Sequence, residues 1–125
     1  MPILIVCGVP PNVPQQHLEG FVFNLQTSVS NIKALGLDPS EVSVFLPPDL
    51  VQLGLGEELI CIVKGLFQKP ERTTYVRQLL AVSVRDCLIE FARNCVPNCR
   101  KVEAIIDRFN QDTDGCTMCN IDPTE

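Results

Sequence analysis

The stretch that decides the fold is the amino-terminal run MPILIVCGV, residues 1–9. After the proline at its second position the run is continuously apolar and rich in isoleucine and valine, and it stops at Gly8 and the prolines beyond. This composition is typical of a strand buried within a sheet. A strand that begins so early holds the end of the chain inside the fold, although most chain termini fray.

Pro2 gains a chemical role only if Met1 is removed. Its nitrogen then becomes a secondary amine, and α-amino groups titrate about two to three units below lysine. Desolvation lowers such a pKa further towards neutrality, which suits a general base. With Met1 retained, the same nitrogen belongs to an amide and has no basicity. Proline after methionine is also common in proteins that make no use of it, so the residue alone leaves both interpretations open.

Length and composition predict one globular domain. Of the 125 residues, 46% are hydrophobic and 20% are charged, which is enough apolar material for a single core. The exception is the polar stretch after about residue 110. We therefore expect a domain over residues 1–110 and a polar carboxy-terminal tail over residues 111–125.

Charge and hydropathy argue against two classes of partner. The formal net charge of −5 disfavours binding to the nucleic-acid backbone. No apolar run approaches the ~20 residues that span a bilayer, and no basic leader followed by an apolar segment and a cleavage site is visible. We expect a cytoplasmic protein with neither a nucleic-acid nor a membrane partner.

Hydrophobic periodicity predicts a strand, a helix and a second strand in the first half of the chain. The prolines after the first strand cannot continue a ladder, and Pro14 suits the first turn of a helix. Apolar residues then recur with a period of about 3.6 residues as far as Gly36. Residues 41–46 alternate β-branched and polar side chains, which predicts a strand that ends at Pro47.

The second half repeats this order after a predicted loop over residues 49–56. Residues 59–67 are almost continuously apolar and predict a third strand. Thr73 or Thr74 can cap a second helix that ends near Asn94. Residues 102–109 complete the pattern as a last strand.

The predicted fold class is α+β: two β-α-β units that form a four-stranded sheet with two helices on one face. Apolar residues occupy both faces of the first and third strands. Because two helices can cover only one face of the sheet, the other face needs a different cover. An oligomer whose subunits pack sheet against sheet would provide it.

Several motifs in this order resemble the macrophage migration inhibitory factor branch of the tautomerase superfamily. The run RTTYVRQLL, residues 72–80, is similar to the arginine–serine–tyrosine–x–lysine–leucine–leucine opening of that family's second helix. The other similar features are Pro2 opening a strand, Val9-Pro10, Val13-Pro14, Pro48-Asp49-Leu50, the glycine loop of residues 54–58, Lys101-Val102 and Asn110.

The resemblance implies a homotrimer that needs no cofactor and no metal. It also implies that Pro2, exposed by loss of Met1, is the general base in tautomerising small 2-oxo or enol carboxylic acids. Arg72 would bind the substrate carboxylate with Lys69 as a possible second cation, Phe67 would line the pocket, and Glu103 would come from a neighbouring strand.

Arg72 and Glu103 also have simpler structural interpretations, which stay open. Arg72 taken alone is an exposed charge at a helix start, and Glu103 taken alone is an outward-facing carboxylate. The resemblance is also compatible with a non-catalytic trimeric interaction protein on the same scaffold, in which the pocket has decayed.

The cysteines suggest a further alternative. Cys95 and Cys99, with Cys116 and Cys119, make two close pairs that could hold a tetrahedral zinc ion. The last strand separates the pairs, so free thiols in a reducing compartment are the competing interpretation. His17 is the single histidine, and we expect it to face water without an evident serine or cysteine partner.

Overall fold

The computed structural model describes residues 2–48 and 57–121. In chain order its long elements are β1 (Ile3–Cys7), α1 (Gln15–Ser30), β2 (Ser43–Phe45), β3 (Glu58–Phe67), α2 (Thr74–Cys95) and β4 (Lys101–Phe109). Two short 3₁₀ turns, Lys33–Leu35 and Pro39–Glu41, stand between α1 and β2. The predicted loop over residues 49–56 and the question of Met1 both lie outside the described residues.

The four strands form one mixed sheet in the order β2-β1-β3-β4. β1 is parallel to β2 and β3 is parallel to β4, so each parallel pair belongs to one β-α-β unit. The two units join through the antiparallel pairing of β1 with β3. This is the predicted α+β class, and the central place of β1 confirms that the sheet is built around the amino-terminal run.

The core lies between one face of the sheet and the two helices. Leu4 and Val6 of β1, together with Leu59 and Val63 of β3, have no exposed surface (0%). The helices contribute their apolar stripes, which include Leu25, Val29, Leu80, Val84 and Leu88. Alternation along the strands, with a period of two residues, sends these strand side chains to the helix side.

The opposite side of the sheet is apolar at its centre, and we call it the outer sheet face. Its apolar residues share a face by the register of the ladders and are Ile3, Ile5, Phe45, Ile60, Ile62 and Ile105. The same face carries the ion pairs Lys64–Asp107 and Lys101–Glu103. Phe45 leaves 56% of its surface exposed and Ile105 leaves 40% exposed. Within one chain, this face therefore presents a hydrophobic surface to its surroundings.

The first helix is shorter than predicted, because α1 ends at Ser30 rather than at Gly36. The Thr27 and Ser30 hydroxyls donate to preceding backbone carbonyl oxygens, which is how such residues weaken a helix near its end. Ile32 is then extended, and the apolar stripe continues through a separate 3₁₀ turn that ends at Gly36.

The second strand is also shorter than predicted, with Ser43–Phe45 in place of residues 41–46. Residues at its predicted start belong to the 3₁₀ turn Pro39–Glu41, where Glu41 Oε1 accepts from the Asp38 backbone N–H at 3.0 Å. Proline at the first position of that turn favours the helical geometry over a strand.

After β4, the described part of the tail, residues 110–121, forms no helix or strand. Gln111 anchors its beginning, because its side-chain amide donates to Gln68 O at 3.0 Å and accepts from Gln68 N at 3.2 Å. The helices within the described residues are all too short or too polar to cross a membrane.

Candidate active site

Pro2 is a buried residue immediately before β1, which lies between β2 and β3 in the sheet. Its carbonyl oxygen accepts a hydrogen bond from Ser43 N at 3.3 Å. The next residue, Ile3, is in register with Ser43 of β2 on one side and Lys64 of β3 on the other. The proline is therefore held between two strands, as the apolar run after it predicts.

A bulge in β3 lies beside this point. The register between β3 and β4 shifts between Val63 and Leu66, and Gly65 has a φ of 71° that other residues rarely adopt. Beyond the bulge the Phe67 ring packs against Phe109 with the ring centroids 5.5 Å apart. Phe67 thus lies at the same end of the sheet as Pro2.

Arg72 is buried immediately before α2, with only 6% of its surface exposed. Its Nη1 donates to Phe67 O at 2.8 Å and its Nη2 donates to Leu35 O at 2.9 Å. Burial lowers the pKa of the guanidinium from its ordinary value, against the opposing effect of the Glu71 and Glu41 carboxylates. Arg72 is therefore not the exposed helix-start charge that its position alone suggests.

The remaining nitrogen of this guanidinium is unusual. Arg72 Nε is buried and has no hydrogen-bond partner among the residues that the structure describes. A buried donor without a partner costs about 1–3 kcal/mol. Because the atom is buried, a ligand would reach it only if the Arg72 side chain moved.

A cavity of about 350 Å³ lies next to Arg72, and we call it the cationic cavity. Its charged lining residues are Lys69, Arg72, Arg77, Arg108 and a single carboxylate, Asp112. Four cations against one anion give the cavity a positive field, which suits a small carboxylate ligand.

Sequence reasoning identified two of these cations and missed the other two. Arg77 is drawn into the wall because its Nη1 donates to the Arg72 carbonyl oxygen and its Nη2 to Thr74 Oγ1. Arg108 reaches the cavity because β4 is in register with Leu66 beyond the bulge. The spacing of Arg77 one turn into α2 was the only local signal, and nothing local pointed to Arg108.

Glu103 lies far from Pro2 within one chain. It is in register with Ile60, which pairs with Cys7 at the opposite end of β1, so about 16 Å of strand separates the two sites. In this position Glu103 Oε1 is 3.3 Å from Lys101 Nζ. A single chain therefore brings Pro2, Phe67, Lys69 and Arg72 to one end of the sheet and leaves Glu103 at the other.

The thiols give no metal centre within residues 2–48 and 57–121, where no group of three or more histidine, cysteine, aspartate or glutamate residues is placed to hold an ion. The expectation that His17 lacks a cysteine partner is wrong. His17 is exposed to water, but its Nδ1 lies 3.2 Å from Cys95 Sγ. The two residues are 78 positions apart, so no local pattern could reveal the contact.

No protein-family model and no curated protein matches the chain. Solved structures do resemble it. The R7 fused 4-OT wild-type asymmetric trimer has a TM-score of 0.68 at 14% identity, and the similarity covers 91% of each chain. N1, a member of the cis-3-chloroacrylic acid dehalogenase family, has a TM-score of 0.64 at 11% identity over 90% of this chain and 78% of that one.

A third similar structure is the macrophage migration inhibitory factor-like protein from Entamoeba histolytica. Its TM-score is 0.62 at 8% identity, over 93% of this chain and 95% of that one. Such low identities concern the fold alone. At that level the comparisons confirm the fold that the resemblance implies.

Proposed function

We propose that this chain, which has the fold of the tautomerase superfamily, is a tautomerase or isomerase of small 2-oxo or enol carboxylic acids. Pro2, freed by removal of Met1, is the general base. The observation that supports this most is the cationic cavity, which lies at the end of the sheet where Pro2 is held, although Pro2 is not among the residues that line it. An enolisable carboxylic acid requires both a base and a group that binds its anion.

In the proposed reaction, one amine moves one proton. The Pro2 nitrogen takes the proton from the enol hydroxyl, and the resulting ammonium returns a proton to the adjacent carbon, which gives the keto form. No atom is gained or lost, and no cofactor is needed. Burial of Pro2 supports this role, because desolvation favours the neutral amine that can accept a proton.

The cations hold the substrate carboxylate in this proposal, but Arg72 does so in a different way from the sequence-based expectation. Both of its terminal nitrogens already donate to backbone carbonyl oxygens. It therefore offers its positive charge rather than a fork of two terminal nitrogens. Lys69 is exposed in the turn before it and can close over the carboxylate.

The rest of the proposed site depends on assembly. A second copy of the chain that covers the outer sheet face would bury the exposed surfaces of Phe45 and Ile105. A homotrimer of this kind is supported by the similarity to fused 4-OT, whose structures are trimers. In such a trimer, Glu103 of one subunit would serve the pocket of its neighbour, with Phe67 on the wall.

The direct test is the ketonisation of phenylenolpyruvate by the mature protein and by Pro2→Ala. We expect the variant to lose about a hundredfold in kcat/KM, because general acid–base catalysis contributes about 10²–10⁴. Pro11→Ala, at an exposed proline of the loop after β1, is the matched control and should keep the wild-type rate. Equal rates for Pro2→Ala and wild type would remove Pro2 from the mechanism.

A second readout locates the nucleophilic amine directly. The protein Pt0534 was inactivated by 2-oxo-3-pentynoate, a conjugated alkyne to which an unprotonated amine can add. With this compound we expect a covalent adduct on Pro2, located by peptide mass spectrometry. A chain that retains Met1, or an adduct confined to thiols, would contradict the proposal.

A non-catalytic interaction protein on the same scaffold is the second candidate. The observation that favours it is the engagement of Arg72 with Phe67 O and Leu35 O, which gives this residue a structural reason to be present without any substrate. The intact mass of the native chain and the ketonisation assay together distinguish the two candidates. A native chain that retains Met1, forms trimers and lacks activity would support this alternative.

A further inference from the structure

The contact between His17 and Cys95 joins the two helices on the side of the molecule away from the outer sheet face. His17 lies in the first turn of α1, and Cys95 is the last residue of α2. The separation of 3.2 Å between Nδ1 and Sγ is within hydrogen-bond distance. In the tautomer that carries its proton on Nε2, the thiol donates to Nδ1.

The pair lies in a groove of about 430 Å³ between α1 and α2, which we call the interhelical groove. The rings of Phe21 and Phe91 are among its lining residues, but they stack on each other with their centroids 4.1 Å apart and are buried. No lysine or arginine is among its described lining residues, whereas Glu90 contributes a carboxylate. This volume is within the range of sites for small molecules.

The imidazole changes the chemistry expected of the thiol. At neutral pH an ordinary cysteine is only a few per cent thiolate, and the thiolate is the nucleophile. A base at hydrogen-bond distance can take the proton, and the imidazolium that results stabilises the thiolate. The dipoles of the two helices act in opposite directions here, because His17 lies at the positive end of α1 while Cys95 lies at the negative end of α2.

The second thiol of the groove is in a different environment. Cys87 Sγ lies 3.3 Å from Ser28 Oγ and is buried. Burial raises the pKa of the Cys87 thiol, which keeps it protonated and unreactive. The reactive position in the groove is therefore Cys95, which is half-buried and open to a ligand in the groove.

We propose that Cys95 and His17 form a thiol–disulfide exchange site that accepts small uncharged disulfides in the interhelical groove. The Cys95 proton moves to His17 Nδ1, and the thiolate attacks one sulfur of the ligand. The ligand S–S bond breaks as the new one forms, and the departing thiolate takes up the proton. Cys95 is oxidised to a mixed disulfide while the other half of the ligand is reduced to a thiol.

The choice of ligand follows from the groove. The described lining holds the Glu90 carboxylate and no lysine or arginine, which disfavours an anionic ligand and favours an uncharged one. The site does not depend on Pro2 or on the cationic cavity, because it lies on the helix layer. Its test is therefore separate from that of the proposed tautomerase activity.

The test uses 2,2′-dithiodipyridine with the full chain at about pH 7, and peptide mass spectrometry gives the rate for each cysteine. Cys116, exposed in the tail, is the internal control. We expect Cys95 to react about three- to tenfold faster than Cys116. The expected factor is modest because exchange rates depend only partly on how readily the attacking thiol loses its proton.

Two variants identify the source of the difference. His17→Gln keeps a polar side chain at this exposed position but cannot take up the proton, so it should slow Cys95 to about the rate of Cys116 and leave Cys116 unchanged. Cys95→Ser should abolish the fast phase. Cys95 reacting no faster than Cys116 in the wild type, or reacting equally fast in His17→Gln, would overturn the proposal.

Discussion

Side chains of the same chemical type have different roles in this protein, depending on how deeply they are buried and on which groups they contact. Lys69 and Arg72 lie in one turn, yet Lys69 is exposed while Arg72 has 6% of its surface exposed and binds two backbone carbonyl oxygens. Cys61 and Cys95 are both free thiols, but only Cys95 has an imidazole beside it. The chemistry available to each residue thus follows from its surroundings rather than from its type.

Cys61 leads to a prediction about alkaline stability. It has no exposed surface, and burial, with smaller effects of the Cys7 and Cys87 thiols, raises its pKa from 9.0 to about 12. Between these values the unfolded chain has lost the proton that the folded chain keeps. The free energy of unfolding therefore has its full Cys61 contribution below about pH 9 and falls above it, by up to about 1.4 kcal/mol per pH unit.

Urea unfolding of wild type and Cys61→Ala from about pH 7 to pH 11 checks this. Cys61→Ala is expected to be less stable at pH 7 but to lose less stability above pH 9, so the two curves converge. The other ionisable groups are common to both proteins, so their contributions cancel in the comparison. Parallel curves would show that Cys61 ionises equally in the folded and unfolded states.

At the scale of elements, one side chain joins three segments. Arg72 stands before α2 and donates to the end of β3 at Phe67 O and to the 3₁₀ turn after α1 at Leu35 O. The first β-α-β unit is thereby fastened to the second at the end of the sheet that carries Pro2. The geometry of the proposed site depends on this connection.

Removing the guanidinium while keeping an apolar stem tests the connection. Arg72→Met leaves two backbone carbonyl oxygens without their partner, and we expect it to lower the free energy of unfolding by about 2–4 kcal/mol. Arg85→Met is the matched control, because Arg85 is half-exposed and, among the described residues, forms its ion pair with the adjacent Asp86. Its effect should stay within about 0.5 kcal/mol. Equal losses in urea unfolding would mean that Arg72 has no special structural role.

At the scale of the whole molecule, a single chain leaves the apolar part of the outer sheet face uncovered. A soluble monomer rarely presents such a surface, and contiguous exposed apolar patches mark interaction sites. Covering this face by further copies of the chain would also bring Glu103 towards a neighbouring pocket. Evidence against the proposed trimer would therefore also be evidence against the proposed role of Glu103 in the active site.

A charge on this face should prevent assembly. Phe45→Asp places a carboxylate on the outer sheet face, and we expect sedimentation velocity to change from a trimer to a monomer while the circular dichroism spectrum is kept. Phe23→Asp is the matched control, since Phe23 is 69% exposed on α1, away from the sheet. A wild-type monomer at micromolar concentration, or equal behaviour of the two variants, would exclude this interface.

Elements whose signals are local were predictable from the sequence. The apolar run after Pro2 became β1, Thr73 caps α2 by accepting from Val76 N at 3.3 Å, and the prolines after Phe45 end β2 as expected. Gly8 ends the first strand for a reason that only the structure reveals: a Cβ there would lie 2.2 Å from Glu58 O. Helix α1 was overestimated because an apolar stripe can continue through a turn that is no longer α-helical.

The sequence by itself determined the order of the elements, the α+β class and the burial of the amino-terminal strand, because these depend on periodicity and on breakers a few residues apart. Only the tertiary structure decided that Arg72 binds backbone carbonyl oxygens, that Arg108 joins the cationic cavity, and that His17 meets Cys95. Those contacts join residues far apart in the chain. They depend on strand register and helix packing, for which no local pattern carries the information.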